Sequence, residues 1–178
     1  VGATALTLSG GNNTVTRVGG VALTGANNAV TNVALSQVVG ANNTVANAQQ
    51  VNVQGVKNTV TGASPFARAT NVNVQGANNT LVNASNTFVA GFDNTLGANL
   101  KDAQVIGSKV TVSDGLENVV AMGSGTTVTQ SGGVALGSGS TADTAAGIAG
   151  YIPTGANTTD AKAIADTTST QAAVDVGG

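Results

Sequence analysis

Val38-Val39-Gly40-Ala41-Asn42-Asn43-Thr44-Val45 is the stretch on which the fold turns, because the chain keeps returning to it. Its core string, Gly-x-Asn-Asn-Thr-Val, spans Gly40 to Val45, Gly10 to Val15 and, with Leu last, Gly76 to Leu81. Degenerate copies run from Gly25 to Val30, Gly55 to Val60 and Gly91 to Leu96, and weaker ones begin at Gly107, Gly123 and Gly137. The nine glycines are 15, 15, 15, 21, 15, 16, 16 and 14 residues apart, so one copy stands out as lengthened. Self-similarity at a fixed short period marks a stacked, repetitive architecture.

Aligned on the glycine, the copies form columns. Five residues after it stand Val15, Val30, Val45, Val60, Leu81, Leu96, Val112, Val128 and Ala142. Two before it stand Leu8, Leu23, Val38, Val53, Val74, Val89, Val105, Ala121 and Ala135. Three after it, Asn13, Asn28, Asn43, Asn58, Asn79 and Asn94 fill the first six copies, and Thr dominates the next column. Within a copy the apolar residues alternate, as in Val51-Asn52-Val53, which is the strand signal. About 15 residues hold two strands of roughly five plus two tight turns, but not a strand with a crossover helix, which takes about 30. The pattern therefore predicts an all-β chain, a parallel β-roll or β-solenoid of about nine coils, ~43 Å tall at ~4.8 Å per strand. Gly10, Gly25, Gly40, Gly55, Gly76 and Gly91 are expected to supply turns of positive φ. The stacked Asn are expected to bond neighbouring backbone or one another, as amide ladders do.

Composition agrees. Gly, Ala, Val, Thr and Asn account for 125 of 178 residues, and aromatics for 2%, which suits an interior too narrow for rings. With 41% hydrophobic and 8% charged residues the chain lacks the signature of disorder. It contains no Cys, His or Trp, so zinc sites, thiol nucleophiles and Ser-His-Asp triads have no side chains to build them. A net charge of −2 argues against a nucleic-acid partner. No cofactor or metal is expected, because the acidic residues are scattered and form no calcium-loop pattern. No apolar run approaches the ~20 residues of a membrane span. A signal-peptide pattern is also missing, so the expectation is a mature segment or a piece of a longer chain.

The column just before the glycine ends in Ile106, Met122 and Leu136, which alternation turns outward. An exposed apolar stripe points to an interface. Rolls packed side by side in a cyclic homo-oligomer would bury it.

The last copies carry a family likeness. Val134-Ala-Leu-Gly-Ser-Gly-Ser-Thr-Ala142 and Val119-Val-Ala-Met-Gly-Ser-Gly125 resemble the head repeat of YadA-like trimeric autotransporter adhesins. The resemblance implies a left-handed parallel β-roll of 14–16-residue coils over residues 1–142, in a side-by-side homotrimer. It covers the N-terminal copies by period alone, since they carry Asn-Asn-Thr where the family has Ser-x-Ala. Residues 143–178 then resemble a hairpin-like insertion that returns to the roll above a neck, with Tyr151 as its anchor and a helical turn from Ala161 to Asp166. The family's proteins are virulence factors on the surface of Gram-negative bacteria, anchored in the outer membrane by a part this segment lacks. They bind matrix proteins such as collagen, fibronectin and laminin, or receptors of the CEACAM type.

Candidate binding residues come from the irregularities. The lengthened copy holds Thr61-Gly-Ala-Ser-Pro-Phe-Ala-Arg-Ala-Thr70, and repeat proteins place such insertions on a surface. Pro65, Phe66 and Arg68 are its candidates for ligand binding, Phe66 and Arg68 as a protein-recognition anchor. The bland alternative is a structural loop in which Phe66 packs back on its own or an adjacent chain. Phe88 and Phe92, flanking Gly91, are further ligand-binding candidates as an exposed aromatic patch, with packing under this loop as the favoured alternative. Asn12, Asn42, Asn78 and Asn157 lie in Asn-x-Ser/Thr strings and are read as turns, not glycosylation acceptors.

These readings favour the head of a surface adhesin that attaches to host cells or matrix by protein–protein binding, without catalysis. An ice- or surface-binding solenoid is the alternative raised by the Thr column. A polysaccharide-acting enzyme is a third, using carboxylates from Asp102, Asp114 and Glu117.

Overall fold

Glycine punctuation and apolar alternation divide the chain into strands that bend at corners of left-handed φ. The computed structural model describes residues 4–177 as an all-β parallel solenoid of about nine turns. Val1 to Ala3 and Gly178, at the outer limits of the two expected spans, lie outside the described residues. In chain order the strands are β1 Thr4–Ser9, β2 Thr14–Thr16, β3 Gly19–Ala26, β4 Ala29–Ala41, β5 Thr44–Val56, β6 Thr59–Thr61, β7 Ala69–Ala77, β8 Thr80–Val82 and β9 Ser85–Phe92. They continue as β10 Thr95–Ala98, β11 Lys101–Ser108, β12 Thr111–Val112, β13 Glu117–Met122, β14 Thr127–Val128, β15 Val134–Leu136 and β16 Thr141–Ala142. Helix α1 Thr158–Ala165 and strand β17 Val174–Val176 complete the chain. Strands pair in parallel with the coils above and below, and the glycines align, as in Gly25↔Gly40↔Gly55↔Gly76↔Gly91. At Gly40, φ is +129°, and a Cβ built there would overlap the carbonyl oxygen of Gly55. Only glycine lets the turns stack that closely.

The interior is wider than the two expected apolar columns. Both are there, buried from Leu23 and Val30 onward. A further column four before the glycine includes Val21, Ser36, Val51, Val72, Thr87 and Ala103. Another follows the short strands and includes Val18, Val33, Ala48, Ala69, Ala84 and Leu100. No aromatic belongs to the core of the described residues.

The fifth inward column is the asparagine ladder, and it satisfies both expectations at once. The Asn58 carboxamide donates to Asn43 Oδ1 at 3.1 Å and to the Gly76 carbonyl at 2.8 Å. Its Oδ1 accepts from the Asn79 backbone N–H at 3.1 Å and the Asn79 side chain at 2.9 Å. Asn28, Asn43 and Asn79 repeat this pattern, so both amide hydrogens and the oxygen of each are used inside a dry core. The ladder ends where Val110 takes the place of Asn: its backbone N–H still donates to Asn94 Oδ1 at 2.9 Å. One coil later the Thr126 hydroxyl is buried with no partner among the described residues.

Corners take most of the remaining asparagines. Left-handed φ values recur two residues after the glycine (Asn42, Asn78, Asp93), near seven after it (Asn32, Asn47, Asn83) and five before it (Asn71, Asn86, Asp102). Asn and Asp enter this region at lower cost than other side chains. Exposed corner amides also bond coil to coil: Asn71 donates to Asn86, and Asn86 to Asp102, both at 2.9 Å, and Asn78 to Asp93 at 2.7 Å. The turn reading of Asn12, Asn42 and Asn78 fits these φ values.

After β16 the chain leaves the roll. Gly147 and Ser169 join the arms of an excursion by backbone bonds, with an antiparallel bridge from Ala149 to Thr168. Tyr151 does not anchor it; the residue is 82% exposed, and the arms are held by backbone bonds and by the Ser169 hydroxyl, which accepts from Ile148 N at 3.2 Å. The helix begins at Thr158, three residues before the expected Ala161, because Asn157 caps it by accepting from Thr159 N and Asp160 N. β17 then returns to pair with β15 in parallel, placing Asp175 opposite the fully buried Ala135. There Asp175 Oδ2 accepts the Thr141 N–H at 2.6 Å.

The ladder makes a graded prediction. Asn58→Ala removes four side-chain bonds and is expected to destabilise the fold by roughly 2–4 kcal/mol. Asn94→Ala removes three and should cost about 1 kcal/mol less. Chemical denaturation of the two variants checks the order.

Candidate functional site

The insertion is a closed turn on the side of an otherwise regular roll. Gly62 N still donates to Ala46 O at 2.9 Å, continuing the ladder for one residue. Ser64 then closes the turn: its N–H donates to Ala67 O, and its hydroxyl accepts from Phe66 N at 3.2 Å and Ala67 N at 3.0 Å. Such hydroxyl-to-backbone bonds hold the loop without a core of its own. Arg68 Nε donates to Pro65 O at 2.9 Å. Ala69 re-enters the interior in register with Ala48. The insertion therefore leaves the roll's register intact and adds one protruding turn.

Phe66 stands at the tip, 99% exposed, so it does not pack back on its own chain. Pro65, Phe66 and Arg68 thus come together in one turn, while Phe88 and Phe92 do not join them. Period-two alternation sends Thr87 and Val89 inward and Phe88 outward, where it pairs across coils with Asn73 and Gln104. Phe88 lines a separate shallow recess with those two residues. Phe92 lies beyond the Gly91 turn and is 53% exposed. The expected packing of both rings under the loop is not found, because the loop sits on a different face and the interior has no room for a ring.

A cleft of about 500 Å³ opens between the insertion and the roll. Gln49, Thr70, Ser85 and Lys101 lie across it in register on successive coils. Asn83 and Asn99 edge it, joined by a 2.6 Å bond from Asn83 Nδ2 to Asn99 Oδ1. Phe66, Ala67 and Arg68 form the facing wall. The alignment on glycine assigns no role to these amides and hydroxyls, because they fall in a column of mixed residues. Their signal is the insertion itself, which covers that column in one coil.

The scattered carboxylates occupy separate bonds. Asp102 accepts from Asn86, Asp114 from the Ala98 N–H at 2.7 Å, and Glu117 pairs with Lys101 at 2.8 Å. The hydrogen bond and charge of Glu117 hold the Lys101 ammonium above the ordinary lysine value. A raised value favours the folded state below the ordinary lysine pKa, and that contribution disappears as pH climbs through the raised one. Both partners are exposed, so its effect on stability is small.

No protein-family model matches the chain, and no curated protein matches it in sequence.

Two measurements check this geometry. Glu117→Gln should bring the Lys101 pKa down towards the ordinary value, read by NMR titration of the side chain. Phe66→Ala should leave the melting transition within about 0.5 kcal/mol of wild type, since an exposed ring contributes no burial.

Proposed function

We propose that this chain is the head of a homotrimeric bacterial surface adhesin of the YadA-like kind, attaching to a host-cell receptor or matrix protein by surface contacts without chemistry. The observation that carries the reading is the outer face of the longer strands. Two outward columns run in register there: Phe88, Gln104, Val120, Val134 and Val174 in one, Ala90, Ile106, Met122, Leu136 and Val176 in the other. Ile106 is 43% exposed, Val174 62% and Val176 74%. In earlier coils the same columns hold Asn52 with Gln54 and Asn73 with Gln75. Sister chains side by side at the same height would set amide against amide and apolar against apolar around a threefold axis. The repeat likeness in Val134 to Ala142 adds the family. On this reading the roll is left-handed, and the protruding Phe66 turn is the part offered to a partner.

Sedimentation of the purified protein is expected to give a trimer. Ile106→Asp combined with Met122→Asp should shift it to monomer, and a wild-type monomer would overturn the reading. Binding to collagen, fibronectin, laminin or CEACAM-type receptors should weaken by about 1–2 kcal/mol with Phe66→Ala, the usual scale of an anchor.

One observation favours a second reading, surface or ice binding. Thr44, Thr59, Thr80, Thr95, Thr111, Thr127 and Thr141 form an unbroken in-register column on the short strands. Its companion column holds Ala46, Thr61, Val82 and Ala98, after a register shift at the last. Thermal hysteresis in solution would support this reading, and its absence would remove it.

A further inference from the structure

The cleft beside the insertion has a chemistry that selects among ligand classes. Its floor repeats at the strand spacing of ~4.8 Å and presents the amide of Gln49 and the hydroxyls of Thr70 and Ser85, the last of which donates to Leu100 O at 3.5 Å and keeps its lone pairs for a ligand. Amides and hydroxyls both donate and accept. On the rim, Asn83 Oδ1 and Asn99 Nδ2 remain without a side-chain partner among the described residues, since their one mutual bond uses the other atoms. Opposite stands the bare ring of Phe66. Beside it the Arg68 guanidinium spends Nε on Pro65 and forms no ion pair among the described residues, leaving its outer N–H fork free. The other cation in the cleft, Lys101, is neutralised by Glu117.

A peptide finds little here. Peptide strands are held by adding to a free sheet edge, yet β5, β7, β9 and β11 are each paired on both sides. Peptide side-chain anchors need apolar holes, and the cleft's Leu100 is wholly buried in the roll. A pyranose asks for different things: an aromatic face for its C–H surface, and closely spaced donors and acceptors for its hydroxyls. Ligand sites of about this volume are common for small molecules. One free guanidinium fork matches one carboxylate in a bidentate pair.

We infer that this cleft binds an acidic saccharide, a sugar bearing a carboxylate, with Phe66 stacking on the ring and Arg68 holding the carboxylate. The inference deepens the adhesion reading, and rests on it only in taking the insertion as the contact surface.

Titration calorimetry of the full chain with 3′-sialyllactose, a glucuronate-containing disaccharide and neutral lactose tests it. Saturable binding is expected for at least one acidic sugar, with lactose about tenfold weaker or more. Phe66→Ala and Arg68→Gln should each weaken the acidic sugar by about tenfold or more, with unchanged melting, and Arg68→Gln should abolish the preference over lactose. Three results would overturn the inference: no saturable binding of either acidic sugar, equal affinity for lactose, or binding that survives Phe66→Ala. Binding of a Glu-rich peptide that displaces the sugar from wild type and not from Arg68→Gln would place a carboxylate at Arg68; the same peptide binding where no sugar binds would overturn the saccharide. If Phe66→Ala abolishes attachment to a matrix protein while no sugar binds, the adhesion reading stands and the saccharide falls. If the sugar binds and no host protein does, the reverse holds.

Discussion

One side chain in each of the first six coils, the inward carboxamide, sets the conditions for the rest of the roll. A carboxamide is the side chain that offers two donors and an acceptor in a plane, so it can bond the rung above, the rung below and a backbone carbonyl together. In Asn43 and Asn58 these demands are all met within one strand spacing. A slip of one residue would take the amides out of line and leave several polar atoms dry and unpaired. The ladder therefore locks the register that the apolar columns alone would fix loosely, because Val and Ala of similar size are interchangeable from coil to coil. The glycine column follows from the same contact. Its carbonyls receive the amides, as Gly55 does from Asn43, and a Cβ on the neighbouring glycine would stand in the way.

The periodic part of this structure was legible in the sequence because every coil solves the same local problem. A glycine that must be glycine and two columns that must be apolar recur visibly. The other inward columns were hidden by small or polar members. Ser36 and Thr87 read as surface residues, but their hydroxyls bond Ala34 O and Ser85 O at the adjacent corner and so enter the core already satisfied. Ala48, Ala69 and Ala84 are too small to announce a core face. The site was half legible. The insertion stood out by its length and its Phe66, yet the cleft it makes depends on Gln49, Thr70, Ser85 and Asn99, brought together by stacking across coils. Alternation with Val89 puts Phe88 outside, but the polar Thr87 on its other side masks the pattern. Asn157 matched a modification pattern, which obscured the stronger signal of a helix cap with Asp160 in the first turn.

Along the roll one scaffold carries two kinds of outer surface. The strands pair alike from β3 to β15, so the backbone is indifferent to what the outward columns hold. That leaves the face free to change from Asn and Gln in the early coils to Val, Ile and Met in the late ones. Interior and exterior are separate problems in a solenoid, and the insertion exploits the same freedom: six residues, Ala63 to Arg68, are added on the outside while Thr61, Ala69 and Thr70 stay in register with the neighbouring coils.

The two amide systems also age differently. Side-chain amides hydrolyse slowly to carboxylates, and a protein with so many asparagines must live with that chemistry. At the corners the product already occurs: Asp93 and Asp102 stand where other coils have Asn, and each accepts its neighbour's amide without disturbing the turn. In the inner ladder a carboxylate would lose both donors and bring a charge into a closed interior, a far costlier change. The chain thus keeps its replaceable amides on the outside, where conversion is absorbed, and its irreplaceable ones where water does not reach.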